Sequence, residues 1–392
     1  MFKIRTMNKI SRVGLDLFPR DRYEVASEIP NPDAILVRSA DINSTDIPDS
    51  VQAIARAGAG YNNIPVPLCS SRGIAVFNTP GGNANAVKEL TLSALLLSSR
   101  NILGGIAWCK TIADKADQVP DLVEAGKARF EGPELRGKTL GVVGLGAVGV
   151  LVANDAAAMG MEVIGYDPYI SVDYAWKLSR AVGRADTLEG LLSKADYVTL
   201  HLPLSDTTKG LMDAEKFRFM KKGARIINMA RGGLVKEADI IKAIESEKLS
   251  FYVTDFPSAA LLACPNVISI PHLGASTPEA EDNCAIMAAR QIINYLETGA
   301  VKNSVNLPRC KLDRRGPFRI TAINQNIPNM VGQITSILAG EKINIMALIN
   351  HHRNDYAYNI IETEQEITGQ TLERIKQVEG IIRVRRLDLT NP

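Results

Sequence analysis

The stretch Gly144-Leu145-Gly146-Ala147-Val148-Gly149 constrains this chain more than any other. A lone G-x-G-x-x-G pattern recurs by chance, so its neighbours decide its weight. It follows Leu140-Gly141-Val142-Val143, which reads as a buried strand, and opens a helix-compatible run ending near Met159-Gly160. A second strand, Glu162-Val163-Ile164-Gly165-Tyr166, then ends at Asp167. In that setting Gly144 allows a tight turn, Gly146 lets the backbone approach a pyrophosphate, and Gly149 lets helix pack on strand. The first helical N–H groups, at Ala147 and Val148, would face the phosphates. Asp167 can accept hydrogen bonds from both ribose hydroxyls and would repel a 2′-phosphate, so NAD rather than NADP is the expected cofactor.

The rest of the chain carries the same α/β signature. Short apolar runs such as Ala34-Ile35-Leu36-Val37, Tyr197-Val198-Thr199-Leu200 and Val267-Ile268-Ser269-Ile270 alternate with helix-length amphipathic segments. Runs apolar at nearly every position predict a doubly wound parallel sheet covered on both faces. Two long helical patterns flank that block, one following Asn83-Ala84-Asn85 and one from Ser276-Thr277-Pro278-Glu279 toward Glu297. Ser276 and Glu279 have capping-box spacing. A charged linker, Arg309 to Arg315, precedes residues 316–392, whose pattern predicts a βαββαβ sandwich.

A net charge of +2 gives no bias toward nucleic acid or anionic membrane, and no apolar run approaches the roughly 20 residues of a membrane span. The N-terminus lacks an apolar leader pattern, so a cytoplasmic protein is expected. The cysteines Cys69, Cys109, Cys264, Cys284 and Cys310 form no C-x-x-C pair, so neither a metal site nor a redox motif is expected.

Two further residues suggest chemistry. Arg231, just past the strand Arg225 to Asn228, lies where open α/β sheets bind ligands, and its planar fork suits a carboxylate. His272, in Ile270-Pro271-His272-Leu273-Gly274, follows another apolar strand and suits acid–base work near neutral pH. Of the other histidines, His201 reads as lining a cofactor cleft, and His351 and His352 as solvated or sensor residues in the tail.

Arranged around this nucleotide motif, Arg231 and His272 make the chain resemble the D-isomer-specific 2-hydroxyacid dehydrogenases. The segments Val37-Arg38-Ser39-Ala40, Arg56-Ala57-Gly58-Ala59-Gly60-Tyr61-Asn62-Asn63 and Asn303-Ser304-Val305-Asn306 resemble the branch of that family acting on 3-phosphoglycerate at the start of serine biosynthesis. The resemblance implies a Rossmann-type NAD domain, residues 99–273, inserted in a flavodoxin-like substrate domain, residues 1–98 plus 274–310. It implies Arg231 and His272 as catalytic residues, and Pro203, Thr207, Asp255 and Gly274 as lining the NAD site. It also implies that backbone at Ala59 and Gly60 helps hold the carboxylate, while Arg38 and Arg56 face the phosphate. The family usually pairs its histidine with a glutamate lying between the positions of Asp255 and the histidine, but residues 256–271 contain no acid. Either a distant residue serves or His272 works without a carboxylate.

The tail, residues 316–392, resembles an ACT domain. Asn324-Gln325-Asn326-Ile327-Pro328-Asn329 and Lys342-Ile343-Asn344-Ile345 match its turn and second-strand motifs, with Asn329 in place of the usual glycine. L-serine is the expected effector, held where Asn326 and Asn344 converge with Asn324 nearby, in a homodimer or homotetramer. A tail that only assembles the oligomer stays open. So do a different substrate such as glyoxylate or lactate, and a non-catalytic NAD-sensing protein on the same scaffold.

Overall fold

The computed structural model describes residues 1–387, which form two compact units: Met1–Asn83 with the segment from Pro278 onward, and Ala84–Thr277. No single helix among the described residues is long and apolar enough to cross a membrane.

The first unit contains a parallel sheet of β1 (Phe2–Met7), β2 (Tyr23–Ala26), β3 (Ala34–Val37), β4 (Ala53–Arg56) and β5 (Ala75–Phe77), in the order β2-β1-β3-β4-β5. All four residues of β3 are buried, as expected for a central strand covered on both faces. The helix Pro278–Thr298 packs Ala285, Ala288, Ala289 and Ile292 into one of its cores. It begins at Pro278, a residue whose missing N–H costs nothing at a helix start. Thr277 rather than Ser276 therefore precedes the first turn, and Glu279 falls one position short of a capping box.

The tail of this unit is an antiparallel sheet of β13 (Phe318–Gln325), β14 (Ile345–Arg353), β15 (Tyr356–Thr363) and β16 (Ile381–Leu387), in the order β14-β15-β13-β16. The helices Met330–Gly340 and Gly369–Lys376 complete the βαββαβ sandwich. Asn329 precedes the first of them with φ of 64°, the left-handed angle that asparagine tolerates. β13 runs through Gln325, because Ile323, Asn324 and Gln325 stay paired with Tyr358, Ala357 and Tyr356. β14 starts at Ile345: Lys342 turns the chain with φ of 59°, and Ile343 is drawn into the tail core.

Tail and helix are bonded together. Arg319 and Glu362 are cross-strand partners and form an ion pair with both side chains almost fully buried. Arg319 also donates to the carbonyls of Thr298 at 2.7 Å and Leu312 at 2.8 Å. Tyr358 Oη donates to Gly299 O at 2.7 Å, and Arg385 Nη2 to Tyr295 O and Leu296 O at 3.2 and 3.1 Å. The carbonyls left open at the end of the Pro278–Thr298 helix thus find donors in the tail sheet, two of them cations where the helix dipole favours positive charge.

The second unit holds a parallel sheet of β6 (Thr139–Val143), β7 (Glu162–Tyr166), β8 (Val182–Arg184), β9 (Tyr197–Leu200), β10 (Ala224–Asn228), β11 (Leu249–Thr254) and β12 (Val267–Ser269), in the order β12-β11-β10-β9-β6-β7-β8. The order reverses direction at β6, which puts a ligand-binding crevice at the carboxyl ends of β6 and β9. The helix Ala84–Ser99 packs on this sheet through Ala94 and Leu95, and buried Ser99 shares a hydrogen bond with Tyr197 Oη at 2.8 Å.

Candidate functional site

The glycine-rich loop leaves β6 and enters the helix Ala147–Ala158. Gly144 has φ of +93°, and a Cβ there would lie 2.8 Å from His201 O. A Cβ at Gly149 would sit 1.9 Å from Gly144 O, so no side chain fits without moving backbone. Gly146 differs: a Cβ there would meet nothing within 4 Å, which leaves open space in front of the first N–H groups of the helix, at Ala147 and Val148. Asp167, just past β7, accepts from Leu145 N at 2.8 Å and Tyr169 N at 2.9 Å, which fixes its carboxylate beside the loop. An open cradle, helix N–H donors and a fixed carboxylate fit the pyrophosphate and ribose of a dinucleotide.

Past β9, His201 donates its backbone N–H to Val143 O at 2.8 Å, and its Nε2 lies 3.0 Å from Thr199 Oγ1. Burial lowers its pKa to about 3, so the ring is neutral at physiological pH. Pro203 O accepts the Thr208 hydroxyl at 2.6 Å, and Thr207 Oγ1 lies 3.0 Å from Ser205 Oγ, forming an exposed turn just beyond that strand.

The second cluster gathers at the carboxyl ends of β10, β11 and β12. Asn228, fully buried at the end of β10, donates from Nδ2 to Arg231 O at 2.9 Å. Its Oδ1 accepts from Ala230 N and Arg231 N at 3.2 and 3.3 Å, so one side chain clamps the turn that presents Arg231. Sequence reasoning counted Asn228 as part of a buried strand and missed this role; an amide in an otherwise apolar run was the signal. Arg231 itself is half-buried and donates from Nη1 to Ala230 O at 2.6 Å.

Asp255 follows β11 and is 1% exposed. Its Oδ2 accepts from Gly274 N at 3.4 Å, while Oδ1 is buried without a partner among the described residues. Burial raises its pKa, against the opposing charges of His272 and Arg231. His272 lies just beyond β12, with its exposed ring 4.8 Å from that of Phe256. The structure thus brings Arg231, Asp255, His272 and Gly274 together. The charge of His272 acts on Asp255, although no hydrogen bond joins the imidazole to a carboxylate among the described residues.

In the first unit, Arg38 pairs with Glu281 at 2.6 Å, and the Arg56 guanidinium folds over Gly58, where a Cβ would lie 2.0 Å from Nη1. Both cations act on the Cys284 thiol, whose pKa burial raises and they oppose, so Arg38 and Arg56 converge on one face. Ala59 O accepts from Asn78 Nδ2 at 2.6 Å beside Gly60.

Within one chain, the tail keeps apart the asparagines expected to meet at an effector site. Asn326 lies beside Asn354 and Asp355, with its Nδ2 on Asn354 O at 3.1 Å. Asn344 takes its N–H to Gln365 Oε1 at 2.8 Å, beyond the other end of β15. The antiparallel register pairs Arg353 with Tyr356 at one end of β14 and Ile345 with Thr363 at the other. The two asparagines therefore stand at opposite ends of the sheet, separated by on the order of 25 Å at about 3.4 Å per strand residue. They do not converge within one chain. Asn324 is buried and spent internally, accepting from Asn359 Nδ2 at 2.7 Å.

Residues 104–274 match the family described as D-isomer specific 2-hydroxyacid dehydrogenase, NAD binding domain. Over 338 residues the chain is 35% identical to the D-3-phosphoglycerate dehydrogenase of Methanocaldococcus jannaschii, covering 82% of this chain and 62% of that relative. It is 32% identical over 366 residues to the D-3-phosphoglycerate dehydrogenase of Bacillus subtilis, covering 89% and 66%. The chain belongs to the D-isomer specific 2-hydroxyacid dehydrogenase family. It spans about three fifths of the length of the first curated relatives it matches. Among solved structures, the NAD+-bound 3-phosphoglycerate dehydrogenase of Entamoeba histolytica superposes with a TM-score of 0.61 at 27% identity, covering 78% of this chain and 98% of that one. A glyoxylate/hydroxypyruvate reductase of Sinorhizobium meliloti shares the fold, with a TM-score of 0.65 at 21% identity, covering 78% and 98%.

Proposed function

We propose that the chain oxidises D-3-phosphoglycerate at C2 to 3-phosphohydroxypyruvate, with NAD held by Gly144, Gly146, Ala147, Val148, Gly149 and Asp167. The observation that carries this reading is the convergence of Arg231, Asp255 and His272 at the ends of three adjacent strands, in the unit that carries the glycine-rich loop. The likeness to D-3-phosphoglycerate dehydrogenases supports the choice of substrate.

NAD, when bound, supplies the acceptor for the hydride leaving C2. Arg231 holds the substrate carboxylate by two-point contact, pre-oriented by the Asn228 clamp. His272 takes the hydroxyl proton onto its imidazole. Asp255, kept dry and bonded by Gly274 N–H, favours the imidazolium that forms and has in Oδ1 an oxygen without a partner among the described residues for an amide of the cofactor. On the first unit, Arg38 and Arg56 are the proposed phosphate ligands, with the backbone at Ala59 and Gly60 assisting at the carboxylate. Pro203, Thr207 and Gly274 are proposed to line the cofactor's path. A homo-oligomer is part of this reading: only a second chain could bring an Asn326 next to an Asn344, the arrangement a serine-responsive tail would need.

Steady-state NADH formation with D-3-phosphoglycerate, D-lactate and D-glycerate, and NADH consumption with glyoxylate, tests the proposal. The phosphorylated acid should have the highest kcat/KM. A preference for an unphosphorylated substrate would move the chain to another branch of its family. NAD binding without turnover of any of them would favour a sensing role, the reading left open by the missing glutamate.

A further inference from the structure

Wholly within the first unit, a groove of about 1160 Å³ lies along β16, the end of the Pro278–Thr298 helix and the start of β1. Most cations on its walls are matched by a carboxylate: Arg22 with Glu297 at 2.9 Å, Arg319 with Glu362 at 2.5 Å, Arg386 with Glu366 at 3.0 Å, and Lys376 with Glu373 at 2.7 Å. Among the described residues, three guanidiniums are not. Arg383 and Arg385 stand two apart on β16 and so share a face of the strand. Arg383 donates, among the described residues, only to the carbonyls of Val51 at 2.6 Å and Asp49 at 3.4 Å. Arg385 donates to the two helix carbonyls and lies 4.3 Å from the Tyr295 ring centre, while its Nη1 is buried with no acceptor among the described residues. Arg314, exposed on the linker, lines the same groove and makes no ion pair among the described residues.

Carbonyls satisfy a guanidinium's N–H groups but leave its charge uncompensated, and burying like charges together is unfavourable without a counter-ion. The Arg383 pKa is lowered, by burial first and also by the charges of Arg385 and Arg72, against the opposing influence of Tyr295 and the Asp49 carboxylate, which already pairs with Arg72. Asp33, on the opposite wall, is occupied by Lys3 N–H at 2.8 Å and Gln52 Nε2 at 2.9 Å. Those neutral donors leave its charge in place, so Asp33 and Asp21 are two negative charges lining the groove, against three unmatched guanidiniums.

We propose that this groove is a binding site for a small polyanion bearing phosphate or carboxylate groups, seated against Arg383, Arg385 and Arg314. Planar guanidinium forks recognise such groups by paired charge-assisted hydrogen bonds. Because Arg385 also holds the end of the Pro278–Thr298 helix, an anion there would tighten the joint between tail and helix.

The test is isothermal titration of inorganic pyrophosphate, and in parallel citrate, into the full chain at low ionic strength with saturating NAD present, against an equivalent NaCl titration. NAD keeps the glycine-rich loop from competing for the probe. Saturable binding beyond the NaCl control is expected for at least one probe, and which one distinguishes a phosphate from a polycarboxylate ligand. Arg383→Gln and, separately, the exposed Arg314→Gln should each weaken it at least ~10-fold, the loss of one charge-assisted hydrogen bond. Circular dichroism should show both variants folded. Four results overturn the proposal: no binding beyond NaCl, binding unchanged in both variants, binding lost instead in Arg231→Gln, or binding seen only after removal of residues 388–392. The third would place the probe in the catalytic cluster, and the fourth would make the chain's own terminus the occupant.

Discussion

Replacing Glu362 by alanine should destabilise the first unit more than any surface change. The Glu362 side chain is fully buried and accepts four hydrogen bonds: from Arg319 Nε at 3.1 Å, Arg319 Nη2 at 2.5 Å, Arg315 N at 2.9 Å and Gly316 N at 3.1 Å. The variant leaves a guanidinium without its counter-charge and two backbone N–H groups without an acceptor. Breaking a buried pair by removing one partner costs roughly 3–5 kcal/mol. Arg319 keeps the carbonyls of Thr298 and Leu312, which argues for the lower end, about 3 kcal/mol. At about 2–4 °C per kcal/mol for a unit of this size, the melting transition should fall by roughly 6–12 °C. Differential scanning calorimetry measures the shift. NADH affinity, followed by fluorescence below the new transition, should be retained, because the glycine-rich loop lies in the other unit. The double variant Arg319→Met with Glu362→Leu should recover part of the loss, since a buried pair is often replaceable by apolar residues, while Arg315 N and Gly316 N still lack an acceptor. A loss under about 1 kcal/mol for Glu362→Ala, the size of an exposed ion pair, would refute the account of the tail joint.

Arg231→Lys keeps the charge but loses the planar fork, so KM for the hydroxy acid should rise and kcat should fall together in steady-state assays; an unchanged KM would remove Arg231 from the substrate. His272→Ala should lose at least about 10²-fold in kcat, and near-normal turnover would mean that another group takes the proton. His201 makes stability depend on pH. Its folded pKa is about 3 and its unfolded value 6.5, so the two states are equally neutral above 6.5. As pH falls below 6.5 the unfolded chain takes a proton that the folded one refuses, and stability is lost progressively until about pH 3. By pH ~5 the loss should approach about 2 kcal/mol, reduced by whatever solvent reaches the ring. Urea melts of the protein and of His201→Gln at pH ~7 and ~5 should show a shallower pH dependence in the variant, and identical slopes would show that His201 is not held neutral.

The cofactor loop was legible because each glycine answers a steric demand that sequence alone expresses: at Gly149 a side chain would meet Gly144 O at 1.9 Å. The parallel sheets were legible because strands such as β3 and β9 are buried at every position, β3 apolar throughout and β9 apolar but for Thr199 and the Tyr197 hydroxyl. What escaped depends on register. Asp255 and His272 are 17 positions apart, and the pairing of Thr254 with Ser269 brings the ends of their strands side by side. The resemblance assigns Asp255 to the NAD site, and only the strand pairing sets its charge against that of His272. Arg319 and Glu362 meet through the pairing of β13 with β15. Lone opposite charges within apolar strands hinted at a partner, but not which one. The same register separates Asn326 from Asn344, which the motif comparison had placed together.

The central claim is that a hydride leaves C2 of a D-hydroxy acid while His272 removes the hydroxyl proton. The most direct measurement is mass spectrometry of the reduced cofactor formed from D-3-phosphoglycerate carrying deuterium at C2. The account expects the deuterium in the NADH, a slower single-turnover rate than with the protiated substrate, and neither from the L-isomer. Reduced cofactor without the label, or no reduction at all from the D-isomer, would contradict it.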